Sequence, residues 1–221
     1  MRFRNGDVYS GQFQNDQMHG RGVYQHSNGA IYTGEFQENA RSGFGMLRSS
    51  DGKSVYNGHF ADGVFSGDGT LAYNSGLVLE VQATFRNNQT IGQVNIRYVD
   101  GSVYDGDYVD KKRSGSGVLK RIDGSVYSGQ WSEDKMDGRG VMTYANGDFY
   151  QGDFRNDCRC GHGVLRYKNF DTYEGEFKND VRHGMGVLTC DNGFVYDGEF
   201  AVDMKVFNVC LFVCLRRFIS D

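Results

Sequence analysis

A tyrosine, a glycine and a second aromatic ring at alternate positions return along this chain at a nearly fixed interval. The leading positions are Tyr9, Tyr32, Tyr56, Leu79, Tyr104, Tyr127, Tyr150, Tyr173 and Tyr196. The step is 23 residues, except for one of 24 into Tyr56 and one of 25 into Tyr104. Self-similarity at a period in the twenties marks a solenoid or hairpin array, in which each repeat touches mainly its neighbours. A chain of this kind needs no compact globular core.

With the tyrosine as position 0, glycine stands at +2 (Gly11, Gly34, Gly58, Gly106, Gly129, Gly152, Gly175, Gly198). A ring stands at +4: Phe13, Phe36, Phe60, Tyr108, Trp131, Phe154, Phe177 and Phe200. Residues two apart on a strand share a face, so one face carries ring, glycine, ring and the other carries small polar residues. A second strand is expected to start at a Gly-x-Gly at +11 and +13, as in Gly20/Gly22 or Gly161/Gly163, and to run through a large residue at +15. The 32 glycines come with no proline, so nearly every residue keeps a backbone donor for ladder pairing.

Two kinds of turn are expected. The six residues between +4 and +11 are polar and read as an exposed loop, whereas Asn-Gly or Asp-Gly before most of the tyrosines reads as a tight hairpin. A three-residue loop, Ser27-Asn28-Gly29 with Gly29 left-handed, places Tyr24 opposite Tyr32, Gly22 opposite Gly34 and Gly20 opposite Phe36. Inside a repeat the same rule pairs 0 with +15, +2 with +13 and +4 with +11. Glycines then form a row flanked by rows of large side chains. Each strand glycine costs roughly 0.5–1 kcal/mol against alanine. A ring laid across the row removes ~150–250 Å² from water, worth about 4–6 kcal/mol at most. The sheet can therefore make its own thin core. The opposite face has a lesser apolar stripe from Val23, Val118, Val141, Val164 and Val187, and from Val8, Ile31, Val103, Val126 and Val195.

The units YSGQF…HGRGVY, YTGEF…SGFGML and YEGEF…HGMGVL resemble the MORN (membrane occupation and recognition nexus) repeat over about residues 5–203. The resemblance implies an all-β fold: an elongated, twisted, single-layer antiparallel sheet of repeated β-hairpins. It also implies a scaffold or partner-binding groove in cytoskeletal, ciliary or membrane-junction settings. A non-catalytic scaffold is the expectation, binding a cytoskeletal or axonemal protein, or a helical or extended segment, along the aromatic and glycine face. Tyr9, Phe13, Tyr32, Phe36, Tyr104, Tyr108, Tyr127, Trp131, Tyr150, Phe154, Tyr173 and Phe177 are the expected partner-binding face. The alternatives are a phospholipid-binding membrane tether and a regulatory arm related to those of lipid kinases.

Other chemistry is thinly represented. A residue that recurs in nearly every unit is not a catalytic residue, and no Gly-x-Gly pair is completed into a phosphate loop, so neither an active site nor a cofactor is expected. His19 and His183, at +10, read as surface loop residues. Cys158, Cys160 and His162 alternate as metal ligands on a strand would, but a fourth ligand is missing: His183 is two strands away, roughly 9.6 Å. The net charge of −4 gives no reason to bind nucleic acid. Lys111, Lys112, Arg113, Lys120 and Arg121 form a local basic cluster, read as a solvated loop and strand edge, with contact to anionic lipid as the alternative. All five cysteines lie at or after Cys158 and no signal-peptide run precedes Tyr9, so a reduced, cytoplasmic protein is expected, associated with cytoskeleton or cilium or peripheral to a membrane.

Residues 1–203 are thus expected to form about nine 23-residue units, irregular at 75–103, followed by an apolar tail over 204–221 that includes Cys210 and Cys214. In the irregular unit Leu79 stands for the tyrosine and Val81 for its glycine, with two residues inserted before Phe85. The run from Val206 to Leu215 is too short to cross a bilayer as a helix. The tail is read as a cap, a dimerisation segment or a non-native extension, and self-association through this end is expected.

Overall fold

The computed structural model describes residues 1–206, in two compact units, Met1–Lys111 and, from Lys112 on, the remaining described residues. The first unit contains β1 (Val8–Gln14), β2 (Gln17–Gln25), β3 (Ile31–Gln37), β4 (Ala40–Arg48), β5 (Ser54–Ala61), β6 (Val64–Tyr73), β7 (Val78–Arg86), β8 (Gln89–Tyr98) and β9 (Val103–Val109). The second contains β10 (Lys112–Lys120), β11 (Val126–Ser132), β12 (Lys135–Thr143), β13 (Phe149–Arg155), β14 (Cys158–Arg166), β15 (Thr172–Lys178), β16 (Val181–Thr189), β17 (Val195–Ala201) and β18 (Met204–Lys205). Within each unit every strand pairs antiparallel with the next, which makes an open hairpin sheet. The fold is all-β, with no helix among the described residues, hence none long and apolar enough to cross a membrane.

The three-residue loop sets the register as expected. Tyr24 faces Tyr32, Gly22 faces Gly34 and Gly20 faces Phe36, and Gly29 closes the loop at φ +93°. The other connection differs from the expected six-residue loop. Only two residues turn, for example Asn15 and Asp16 at φ +49° and +59°, and both lie in the left-handed region that a type I′ hairpin demands. The second strand therefore starts at +8, ahead of the Gly-x-Gly, and His19 and His183 lie on β2 and β16 instead of on loops. Pairing inside a repeat shifts as well: Tyr9 meets Tyr24 and Gly11 meets Gly22, but Phe13 meets Met18 at +9, not Gly20 at +11. The cause is a β-bulge at Gly20, whose φ of +64° disfavours any side chain. The two glycines of Gly-x-Gly thus do separate jobs, the first for the bulge and the second for ring clearance.

The ring lies flat over the glycine pair. A Cβ added to Gly11 would stand 2.5 Å from the Tyr9 hydroxyl and 2.5 Å from the Gly22 Cα. Tyr9, Tyr32, Tyr104, Tyr127, Tyr150 and Tyr173 have no accessible surface. Each hydroxyl donates to the carbonyl three residues on, for example Tyr9 to Gln12 at 2.8 Å and Tyr104 to Asp107 at 2.8 Å, which is why tyrosine and not phenylalanine leads the unit. Edge-to-face contacts link the rings into a zigzag. In the first unit Tyr9 meets Phe36 at 5.0 Å, Tyr32 meets Phe60 at 4.9 Å and Tyr56 meets Phe85 at 5.2 Å. In the second, Tyr127 meets Phe154 at 5.1 Å, Tyr150 meets Phe177 at 5.0 Å and Tyr173 meets Phe200 at 4.9 Å.

The irregular repeat is in frame. Val81 pairs with Leu71, Ala83 with Gly69 and Phe85 with Gly67, so these residues occupy 0, +2 and +4. The expectation that Leu79 replaces the tyrosine, with an insertion before Phe85, is corrected: the extra residues lie in the connection before β7. Val94 and Ile96 pair with Ala83 and Val81 at +13 and +15. The ring is gone, and both glycines beneath it have gained side chains. At the ends, Met1–Arg4 runs beside β1 as expected, with the Arg2–Val8 bridge and Tyr9 N donating to Met1 O at 2.9 Å. Met204 and Lys205, assigned to the tail by sequence, pair with Ala201 and Phe200. Residues 207–221 of the tail, with Cys210 and Cys214, and with them the expected self-association through this end, lie outside the described residues.

Candidate binding faces

Side chains at 0, +2, +4, +9, +13 and +15 make the ring face. Phe36, Trp131, Phe154 and Phe177 are almost as buried as the tyrosines, whereas Phe13 is 46% exposed and Tyr108 is half-buried. Most of the rings expected to meet a partner are thus spent on one another.

The +9 residues, which sequence reading did not single out, close this face along one edge. Arg159 lies over the rings of Tyr150 and Phe177 at 5.5 and 5.2 Å, and Arg182 over Tyr173 and Phe200 at 5.6 and 5.3 Å. Each arginine is tied to the second turn residue of the next hairpin. Arg159 donates from its backbone N and its Nε to Asp180 Oδ1 at 2.9 and 3.2 Å, and Arg182 does the same to Asp203. Met18, Phe65 and Met136 donate from the backbone to Asn39, Asn88 and Asp157 in the same way. The signal in the sequence was Asn or Asp as the second turn residue, read there only as loop polarity.

On the opposite face, a groove of about 460 Å³ in the first unit is floored by Gly22, Gly34 and Gly45 and walled by Val23, Phe44 and Met46. Phe44 is 51%, Met46 46% and Val23 41% exposed. Met185 and Val187 stand at the matching +12 and +14 positions of the second unit, also exposed. Elsewhere the residue inside Gly-x-Gly is polar (Arg21, Asp68, Ser116, Arg139, His162), so Phe44 and Met185 were visible exceptions.

Cys158, Cys160 and His162, which alternate as metal ligands would but were not expected to hold a metal, all lie on β14. A bulge at Gly161, φ +59°, falls between Cys160 and His162, and Cys158 and Cys160 pair with Arg155 and Asp153 on β13 while His162 pairs with Glu176 on β15. No metal-holding group of three such side chains occurs among the described residues. The Cys158 thiol is pushed up by its hydrogen bond to Asp180 and by burial, and the Cys160 thiol by burial. The basic cluster is largely engaged: Lys112 pairs with Glu133, and Arg113 holds Asp134 at 3.2 Å beneath its stack on Trp131. Arg121 reaches Met142 Sδ at 3.8 Å, Lys120 is exposed and Lys111 follows β9 at φ +64°.

Among solved structures the chain is similar to the SAS-4 (dCPAP) TCP domain of Drosophila melanogaster in complex with a proline-rich motif of Ana2 (dSTIL). That match has 14% identity, covers 87% of this chain and 90% of the other, and has a TM-score of 0.37. The wild-type TCP10 domain of Danio rerio CPAP is similar at 14% identity, with 93% and 99% covered and a TM-score of 0.36. At this identity and overlap neither says anything of this chain's partners. No curated protein matches. The MORN repeat model matches residues 9–31, 32–54, 56–78, 104–126, 127–149, 150–172 and 173–195, passing over the hairpin that starts at Val81. The chain belongs to the MORN repeat family.

Proposed function

We propose that the chain is a non-catalytic scaffold that binds an extended segment of a partner protein along a sheet face. The observation that carries this is the groove opposite the ring face. Phe44, Met46 and Val23 leave large apolar surfaces in water side by side, over a backbone floor without side chains. Scattered apolar residues need no explanation, but a contiguous patch beside a concavity marks an interaction site. A strand-like segment with apolar side chains at alternate positions fits such a floor. The ring face then serves as the core that holds the groove in shape, with Phe13 and Tyr108 as its more accessible rings. Membership of the family supports a cytoskeletal, ciliary or membrane-junction setting.

The test compares wild type with Phe44→Ser and Met46→Thr. A partner recovered by wild type is purified and titrated calorimetrically against all three, and both variants are expected to bind at least tenfold more weakly with unchanged melting. Equal affinity in all three moves the site elsewhere, and turnover intrinsic to the purified chain sinks the scaffold reading.

A further inference from the structure

On the sheet face opposite the rings, the two apolar +12 residues sit in different surroundings. Phe44 lies against His59 at 5.6 Å, and Glu35 beside it faces Arg21, so charge there is mixed. Met185 has a carboxylate on each side: it faces Glu199 on β17, and Glu176 on β15 accepts its backbone N–H at 3.4 Å. Two residues further along β16, Val187 faces Glu174 on β15 and Asp197 on β17. Two apolar side chains thus run down the middle strand with two carboxylates on either side, and all six residues are exposed.

These carboxylates are short of cations. None of the four is in an ion pair among the described residues. Three basic side chains stand near: His162 faces Glu176, Lys178 lies at the hairpin end of β15 opposite Val181, and Arg166 is drawn over the Phe149 ring at 5.8 Å. Four carboxylates against Lys178 and a protonated His162 still leave the face negative. Nor is the charge focused on one point, since no three such side chains gather as metal ligands among the described residues. Charge spread over two strands on either side of an apolar strip suits several cations carried on one segment. Apolar side chains left in water mark an interaction surface, and the charges around them select the occupant. An anionic lipid surface or an acidic segment is repelled here.

We propose that this face of β15, β16 and β17 docks a basic protein segment in extended form, two alternate apolar side chains resting on Met185 and Val187. Alternate side chains of an extended segment are roughly 6.6 Å apart, which is also the spacing of Met185 and Val187 along β16. Lys and Arg side chains beside them reach the flanking carboxylates, one strand spacing of ~4.8 Å away, while their apolar stems help cover the strip. Covering it also removes water from around the charges, which strengthens their attraction. The contact uses none of Val23, Phe44 and Met46, so it does not rest on the groove proposed above.

A blocked, fluorescein-labelled peptide, Lys-Lys-Val-Ser-Leu-Lys-Lys, tests it by polarisation when titrated with the full chain in reductant. Wild type is expected to bind it, less tightly as salt is raised. Serine in place of the peptide's valine and leucine, or in place of its lysines, is expected to weaken binding about tenfold. Glu176→Gln combined with Glu199→Gln, and separately Met185→Ser, are expected to do the same with unchanged melting, since these positions are exposed. Phe44→Ser is expected to bind the peptide as wild type does, which separates this site from the groove. A wild type that does not bind, binding that survives Met185→Ser or the paired glutamines, or equal binding of the lysine-free peptide overturns the proposal. Spermine held as tightly as the peptide assigns the face to a small polycation, and self-association lost in Met185→Ser assigns it to a second copy. Either result overturns the proposal as well.

Discussion

Replacing Gly152 by valine tests the central packing claim. A Cβ at Gly152 would stand 2.7 Å from the Gly163 Cα and 2.7 Å from the Tyr150 ring carbon that bears the hydroxyl, with the hydroxyl oxygen nearer still. The backbone cannot give, so the ring must lift. Lifting exposes a ring that now has no accessible surface, loosens its contacts with Phe154 and Phe177 at 5.1 and 5.0 Å, and breaks the hydrogen bond to Asp153 O. Full exposure of the ring is worth about 4–6 kcal/mol at the upper bound, and the hydrogen bond about 1 kcal/mol. Partial lifting gives an expected loss of about 3–5 kcal/mol. Gln151→Val, on the opposite face and exposed, is expected within ~0.5 kcal/mol of wild type. Circular-dichroism melts compare the two, and hydrogen exchange over β13 and β14 locates the damage. Equal losses would refute the face assignment. A finer version uses Gly152→Ala with and without Tyr150→Val: the alanine is expected to cost several-fold less once the ring is gone. Additivity within ~0.5 kcal/mol would show that the ring is not what the glycine accommodates.

Burial pushes the phenols of Tyr32, Tyr56, Tyr127 and Tyr173 up to about 12. A raised folded-state value means that their stabilising effect is complete below the unfolded value of ~10 and is lost as pH rises toward 12. Phenolate absorbance is therefore expected to rise together with loss of the β-sheet signal, and independent titration of these rings near pH 10 in a folded chain would contradict it. Asp7 is held down at about 2 by hydrogen bonds from the Tyr24 hydroxyl and the Ser27 backbone. A depressed value stabilises above ~3.9 and fades as pH falls through about 2, so acid melts of Asp7→Asn are expected to flatten over that window. Asp180→Ala removes the acceptor for Arg159 N and Nε and is expected to cost about 1–2 kcal/mol in denaturant titrations, whereas Asp180→Asn, as at 39 and 88, is expected to cost less.

The ring, glycine, ring alternation was legible because a strand's period of two leaves no freedom in which side chains share a face. The register across Ser27-Asn28-Gly29 was legible because glycine can occupy the left-handed position that a three-residue loop requires. The other hairpin was misjudged because its polar run was read as one long loop, although most of its left-handed residues, such as Asn15, Asp16, Asn156 and Asp157, tolerate that conformation; Glu38, Lys111, Glu133 and Val202 are the exceptions. Their conformation is imposed by tertiary pairing, seen where Asp203 N donates to Arg182 O at 3.1 Å across hairpins. Gly20 and Gly22 look alike in sequence, and only the bulge separates their roles. Phe44 stood out from the polar residues at its sister positions, whereas Met46 beside it was masked by the stripe of valines at +14 on that face.

The irregular hairpin shows what the repeat is a unit of. Were tyrosine, +2 glycine and +13 glycine selected one at a time, a departure at one would leave the others in place. At Val81 all three change together, to valine, alanine and valine, and the +15 side chain, Ile96, is fully buried. With no ring above, the glycine positions become ordinary strand positions, where side chains restore burial and remove the cost of glycine. The two states of the unit are therefore ring over bare backbone, and aliphatic plug over clothed backbone. A mixture clashes or leaves a void. The plug keeps the ladder's hydrogen bonds and the sheet's continuity through β7 and β8, but it ends the edge-to-face chain at Phe85, since Val81 presents no edge to the next ring. A unit that gives up its ring thus keeps its place in the sheet while changing the surface above it, and a repeat array acquires a single distinguishable position in this way.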